Sequence, residues 1–184
     1  MMIVFVSGGA RSGKSSFAEE LANESYYSVK GKFSKSCLYY VATAKRTDKE
    51  MDNRINIHQQ RRSGQWETIE EPYDIANLLL ELNKGDVVLF DCLTIWLSNR
   101  MFDLNDAFDQ IKVKFQSWLK IAKEREIVFI IVSNDLNEGV PIPNQTVHNY
   151  IYNLENLHQE IILYSDQVIQ MIAGLPTYWK GERK

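Results

Sequence analysis

Two stretches of the chain carry residues that could do chemistry. The first is Gly8-Gly9-Ala10-Arg11-Ser12-Gly13-Lys14-Ser15, which fits the pattern G-x-x-x-x-G-K-[ST]. Its glycines let successive main-chain N–H groups turn inward around phosphate oxygens. In such a loop the lysine, here Lys14, reaches the β and γ phosphates, and the hydroxyl of Ser15 ligates magnesium (Mg2+). A helix that opens at the loop points its positive end at the same anion. The second stretch is RINIHQQRRSGQW, residues 54–66, which sets His58 among Arg54, Arg61 and Arg62. On a helix, spacings of three and four make all three arginines surface neighbours of His58. Like charges so placed repel, and a docked anion would relieve them. The same cations disfavour protonation of the imidazole, and the neutral ring is the nucleophile. The cluster therefore suits either a clamp on transferred phosphates or covalent carriage of a nucleotidyl group by His58. A solvated basic helix face with an idle histidine is the bland alternative.

A phosphate loop needs a strand before it and a helix after it. Residues 2–7, MIVFVS, are a continuous apolar run ending at glycine, as in a strand buried on both faces. Residues 14–24 place Phe17, Ala18, Leu21 and Ala22 at helical spacing, and residues 25–36 read as a polar connection. Further buried strands are expected at 37–44, 86–92, 127–133 and 167–173, the last followed by a Gly–Pro tail. Helices are expected over 47–63, capped by Thr47 or Asp48, and from Pro72 with Ile75, Leu78, Leu79 and Leu82 on one side. Two more are expected: over 106–124, with Phe108, Phe115 and Trp118 as core, and through Tyr150, Leu154, Leu157 and Ile161. Strands alternating with helices predict an α/β fold with a mostly parallel sheet and helices on both faces. Asp91 closes the 86–91 run, where such a fold puts either a magnesium-orienting acid or a helix N-cap. No N-K-x-D guanine-reading motif is present, which argues against a Ras-like GTPase switch.

The 184 residues suggest one domain, here 1–184, without repeat, low-complexity tract or linker. A net charge of −3 disfavours nucleic acid as a partner. No apolar stretch approaches the ~20 residues of a membrane span, and MMIVFV is too short for a signal h-region. A cytoplasmic location is expected, with Cys37 and Cys92 as buried thiols rather than a disulfide. His148 and His158 match no metal-binding pattern and take no assigned chemistry.

Four motifs, in this order and spacing, resemble one family: GGARSGKS, YVATA at 40–44, DKEMDNRINIHQQRRSGQWETIEEP at 48–72 and DCLTIWLSN at 91–99. It is the bifunctional adenosylcobinamide kinase / adenosylcobinamide-phosphate guanylyltransferase of cobalamin biosynthesis. The resemblance is dense over residues 1–100 and continues weakly in VSN at 132–134. It implies a P-loop NTPase fold, a homotrimer and two reactions. A nucleoside triphosphate, ATP or GTP, phosphorylates adenosylcobinamide. GTP then guanylylates a histidine, and GMP passes to adenosylcobinamide phosphate, giving adenosyl-GDP-cobinamide. The histidine falls on His58. Nucleotide contacts fall on Gly8 to Ser15, on Ala42, Thr43 and Ala44, on Gln59, Gln60, Arg61 and Arg62, on Glu70 and on Asp91. The C-terminal half departs from the pattern: Asp135 and Asn137 replace Glu and Gly, and the helix YIYNLENLHQEI keeps only Gln159 of an Asn-Gln pair. Those segments are expected to shape the corrinoid side of the site. Set against this reading are a small-molecule kinase without nucleotidyl transfer and a GTP-binding homologue that has lost catalysis.

Overall fold

The chain alternates strand and helix, beginning with β1 (Met2–Gly8) and α1 (Lys14–Lys30). The structure, a computed structural model, describes residues 2–33, 35–45, 64–137 and 143–182. After α1 come β2 (Leu38–Ala42), β3 (Trp66–Glu70), α2 (Ala76–Glu81) and β4 (Val87–Asp91). Then follow α3 (Leu93–Ser98), which runs on into one π-helical turn (Asn99–Asp103), and α4 (Phe108–Glu124). The chain closes with β5 (Val128–Val132), α5 (Gln145–Tyr164), β6 (Gln167–Ile172) and β7 (Leu175–Lys180). The strands form one seven-stranded sheet in the order β3-β2-β4-β5-β1-β6-β7. All neighbours are parallel except β6 and β7, which pair antiparallel. This is the α/β architecture expected from the alternating pattern.

Parallel strands covered on both faces need continuous apolar runs, and β1 has one over Met2–Val6, β4 over Val87–Phe90 and β5 throughout. Alternate residues sort to the two faces. Val4, Val6, Leu89 and Val132 meet Ala18, Ala22 and Tyr26 of α1. Ile3, Phe5, Phe90 and Phe129 meet the other face, where α2, α3, α4 and α5 supply Leu79, Trp96, Phe115 and Leu157. Bulk on that second face comes from aromatics. The Trp96 and Trp118 rings lie 4.7 Å apart, and Phe115 sits 5.7 Å from Trp96. Their polar atoms are satisfied: Trp96 Nε1 donates to Tyr73 O at 2.8 Å and Trp118 Nε1 to Asp74 Oδ1 at 3.1 Å.

Several boundaries differ from the sequence expectation. α1 continues to Lys30, because Tyr26 extends the Ala18–Ala22 stripe by one more four-residue step. The helix expected from Pro72 begins only at Ala76; before it, Glu71 Oε1 accepts the N–H groups of Tyr73 and Asp74 and holds a turn. The presumed tail folds back as β7 through the Ala173-Gly174 turn, both of positive φ, which matches the twist of a two-residue hairpin. Cys37 is an exposed free thiol, correcting its expected burial: it precedes β2 at the open end of the sheet. Cys92 is buried and free, as expected. Phe115 and Trp118 are core, and Phe108 packs against it from a half-exposed position. The helix expected over 47–63 and the Gly139–Pro141 loop lie outside the described residues.

Phe115 is fully buried against the rings of Trp96 and Trp118. Replacing it with Ala should cost about 3–5 kcal/mol of unfolding free energy, read as a lower urea midpoint at unchanged slope.

Candidate active site

The phosphate loop is built as its sequence demands. Gly8 ends β1 at φ 153°, and a Cβ there would lie 2.5 Å from Met171 O and 2.6 Å from Ser12 Oγ. Gly13 takes φ 89° at the N-cap of α1, a left-handed turn that glycine adopts without strain. Ala10 and Arg11 form the exposed crest. Behind them the β6–β7 turn braces the loop: Gly174 N donates to Ser12 O at 3.0 Å. Lys14 is buried and curls back, its Nζ donating to Gly9 O at 3.1 Å. Ser12 Oγ is buried with no hydrogen-bond partner among the described residues. A folded-back ammonium and an unpartnered buried hydroxyl are groups that phosphate oxygens would satisfy.

The parallel register sets the rest of the site abreast of this loop. Ala42 pairs with Glu70 on one side and Asp91 on the other; Asp91 pairs with Val132, and Val132 with Val6. Glu70, Ala42 and Asp91 thus share one row at the carboxyl ends of the strands, where α/β sheets bind ligands. Asp91 stands two strand spacings, about 10 Å, from the phosphate-loop strand. It does not cap α3, whose N-cap is Cys92; instead Asp91 Oδ2 accepts the Tyr40 hydroxyl at 2.9 Å. Ser15 and Asp91 offer one hydroxyl and one carboxylate. That sparse set suits magnesium, which keeps phosphate oxygens and waters as its other ligands.

Hydrogen bonds stitch the motifs together. Thr43, fully buried, grips the Cys92 peptide from both sides: its Oγ1 accepts Cys92 N at 2.8 Å and donates to Cys92 O at 2.9 Å. The Asp91–Cys92 bond it grips is cis. Asn99 Nδ2 donates to Thr43 O at 2.9 Å and to Pro72 O at 3.2 Å, so Thr43 and Ala44 are held from three directions. Thr94 Oγ1 accepts Asn134 N at 2.8 Å and lies 3.1 Å from Ser133 Oγ. Asp135 N donates to Gly8 O at 3.0 Å. Burial, with the charge of Asp91 adding to it, pushes the Cys92 thiol up to about 12, so it stays a neutral spacer.

The sequence that builds this site matches a known family. The model of the cobinamide kinase / cobinamide phosphate guanyltransferase (CobU) family matches residues 4–178. The chain belongs to this family. It is 38% identical over 178 residues to the bifunctional adenosylcobalamin biosynthesis protein CobP of Pseudomonas aeruginosa, covering 96% of each chain. It is 27% identical to the bifunctional adenosylcobalamin biosynthesis protein CobU of Escherichia coli, covering 95% of this chain and 97% of that one. Among solved structures it shares its fold with the flagellar accessory protein FlaH of Methanocaldococcus jannaschii. That match has a TM-score of 0.52 and 18% identity over 98% of this chain and 79% of that one. The family is one of bifunctional kinase and guanyltransferase enzymes of cobalamin biosynthesis, and this chain is an enzyme of that class.

Of the residues expected at the site, the structure brings Gly8 to Ser15, Ala42, Thr43, Ala44, Glu70 and Asp91 to one edge of the sheet. His58, Arg54, Gln59, Gln60, Arg61 and Arg62 lie outside the described residues. Lys45, the last described residue before them, sits at that same edge, paired with Asp103 at 2.5 Å. Sequence reasoning gave no role to Tyr40, Thr94, Asn99 and Ser133. A tyrosine in a buried strand was the one available signal, since its hydroxyl needs a partner. Thr43→Val keeps the shape and removes both bonds to the Cys92 peptide. It should cost about 1–3 kcal/mol of stability for each group stranded and weaken nucleotide binding, measured by urea unfolding and calorimetric titration.

Proposed function

We propose that the chain phosphorylates adenosylcobinamide and then transfers GMP from GTP to adenosylcobinamide phosphate through a guanylyl-His58 intermediate. The observation that carries this reading is the coincidence of a complete phosphate loop with Ala42, Glu70 and Asp91 on one row of the sheet. It is supported by a family match that spans residues 4–178 and therefore includes His58.

In the kinase step the acceptor hydroxyl oxygen attacks the γ-phosphorus, its proton passes to water, and the bond from the γ-phosphorus to the β–γ bridging oxygen breaks, releasing the nucleoside diphosphate. Lys14 leaves Gly9 O to follow the transferred charge, and the N–H groups of residues 9–15 hold the phosphates. In the transfer step a neutral His58 nitrogen attacks the α-phosphorus and pyrophosphate departs. A phosphate oxygen of the acceptor then attacks the same phosphorus, breaking the P–N bond and restoring the imidazole. Covalent carriage splits one difficult transfer into two in-line displacements. Arg54, Arg61 and Arg62 neutralise charge around the α-phosphate, and Gln59 and Gln60 contribute nucleotide contacts. Ser15 and Asp91 would hold magnesium, which would supply charge neutralisation at the phosphates. ATP or GTP serves as phosphoryl donor. One nucleotide-binding domain in a homotrimeric cytoplasmic enzyme completes the reading. Among the described residues no helix is long and apolar enough to cross a membrane.

The test is incubation with α-labelled GTP and magnesium. Wild type should acquire label that is acid-labile and base-stable, as a phosphoramidate is, and His58→Ala should acquire none. Label that survives in His58→Ala would overturn the covalent step. Transfer of γ-label alone would point to a kinase without nucleotidyl transfer.

A further inference from the structure

His158 was assigned no chemistry by its sequence context, yet it is buried at the centre of a chain of hydrogen-bonding groups. Its Nε2 lies 2.8 Å from Ser133 Oγ, and its Nδ1 lies 3.4 Å from Glu155 Oε1. Glu155 is an ionised acceptor, since the bond from His158 holds its carboxyl below the usual range against the opposing effect of burial. An acceptor on that side places the ring proton on Nδ1 and leaves Nε2 to accept. Every group in line then has one consistent direction. Asn134 N–H donates to Thr94 Oγ1, Thr94 to Ser133 Oγ and Ser133 to His158 Nε2, while His158 Nδ1 faces Glu155 Oε1.

The chain ends in the active site. Thr94 follows Asp91 by three residues on α3, and Asn134 precedes Asp135, whose N–H binds Gly8 O of the phosphate loop. We propose that His158 is a positioning residue: by accepting the Ser133 hydroxyl it fixes the spacing between the Asp91 strand and the phosphate loop. This rests on the reading above that the loop binds the nucleotide. Without an acceptor at Nε2, Ser133 would turn its proton toward Thr94 Oγ1, which already accepts Asn134 N–H, and Thr94 would lose its place for its own proton. Other groups around the ring do not replace this link. The Phe5 ring packs 5.0 Å away, and the crevice that His158 lines also holds Asp135, Gln170, Trp179 and Lys180. Gln170 bonds Asp135, Trp179 bonds Gln170, and Lys180 bonds Ile162 O.

The chain holds three histidines, so nitrogen-15 labelling of histidine alone reads each ring by NMR without any nucleotide. The signals lost on His158→Gln should show the Nδ1–H tautomer; an Nε2–H tautomer overturns the proposal. Affinity for magnesium-GTP is then measured by calorimetry. His158→Phe, which cannot accept the Ser133 hydroxyl, should bind about fivefold more weakly, the worth of one hydrogen bond. His158→Gln, whose amide oxygen can take the place of Nε2 and accept that hydroxyl, should restore wild-type affinity. In a Ser133→Ala background, His158→Phe should cost no further affinity. Equal affinity of wild type and His158→Phe, or an equal loss in His158→Gln, overturns the proposal. Absence of GTP binding in wild type overturns the functional reading instead, and the tautomer is decided independently of it.

Discussion

Five parallel strands in register bring the site residues abreast before any side chain acts. Glu70, Ala42, Asp91, Val132 and Val6 pair in sequence across β3, β2, β4, β5 and β1. In a parallel sheet every strand ends at the same edge, so each loop that follows a strand emerges beside the others. Register is strongly fixed here because both faces are buried; slipping one strand by a residue would send Phe90 and Phe129 to the α1 face and Leu89 and Ile130 to the aromatic one. The two faces differ too much in volume to exchange: small alanines of α1 fill one, and the Trp96–Trp118 cluster fills the other. Packing far from the chemistry thereby sets where Asp91 stands relative to Gly8.

Register alone does not set the loops, and the buried hydrogen bonds beyond the strand ends do that. A buried polar group left unpaired is costly, so each one that is paired admits few alternatives. Thr43, Thr94, Asn99 and Ser133 are all buried at this edge, and all spend their capacity on the peptide groups or hydroxyls of neighbouring motifs. The stretches YVATA, DCLTIWLSN and VSN, widely separated in sequence, are thus one hydrogen-bonded layer beneath the nucleotide edge. Among the described residues, main-chain bonds join the phosphate loop to its surroundings: Asp135 N to Gly8 O and Gly174 N to Ser12 O.

How much of this could be read from the sequence follows from how each element signals itself. Continuous apolar runs announced β1, β4, β5 and β6, and the glycine spacing announced the phosphate loop. β3, WETIE, was missed because as an edge strand it alternates exposed and half-buried residues and carries two glutamates. β7, LPTYWK, was missed for the same reason, with a proline at its second position. α3 is six residues long, too short for a period to show. His158 gave no warning, since nothing local distinguishes a histidine that faces solvent from one that a strand two dozen residues upstream will bond. Pairing partners are tertiary facts, and only the register between β5 and α5 makes them neighbours.

The departures of the C-terminal half also take on a different meaning once placed. Asp135 and the helix YIYNLENLHQEI were expected to shape the corrinoid side of the site. In the structure the main chain of Asp135 meets the phosphate loop. A main-chain bond is indifferent to the side chain, so exchange of Glu for Asp at 135 leaves it intact. The Asp135 carboxylate is occupied locally, accepting Asn137 N at 3.1 Å and Gln170 Nε2 at 3.4 Å. On α5, His158 lies inward against Ser133, while its neighbour Tyr152 is exposed. One helix thus carries residues under two constraints: inward ones, Leu154, Leu157, His158 and Ile161, are buried against the sheet, and outward ones are not. Among the described residues His158 is the polar member of the inward set, and its contact with Ser133 ties α5 to the strand end beside the phosphate loop.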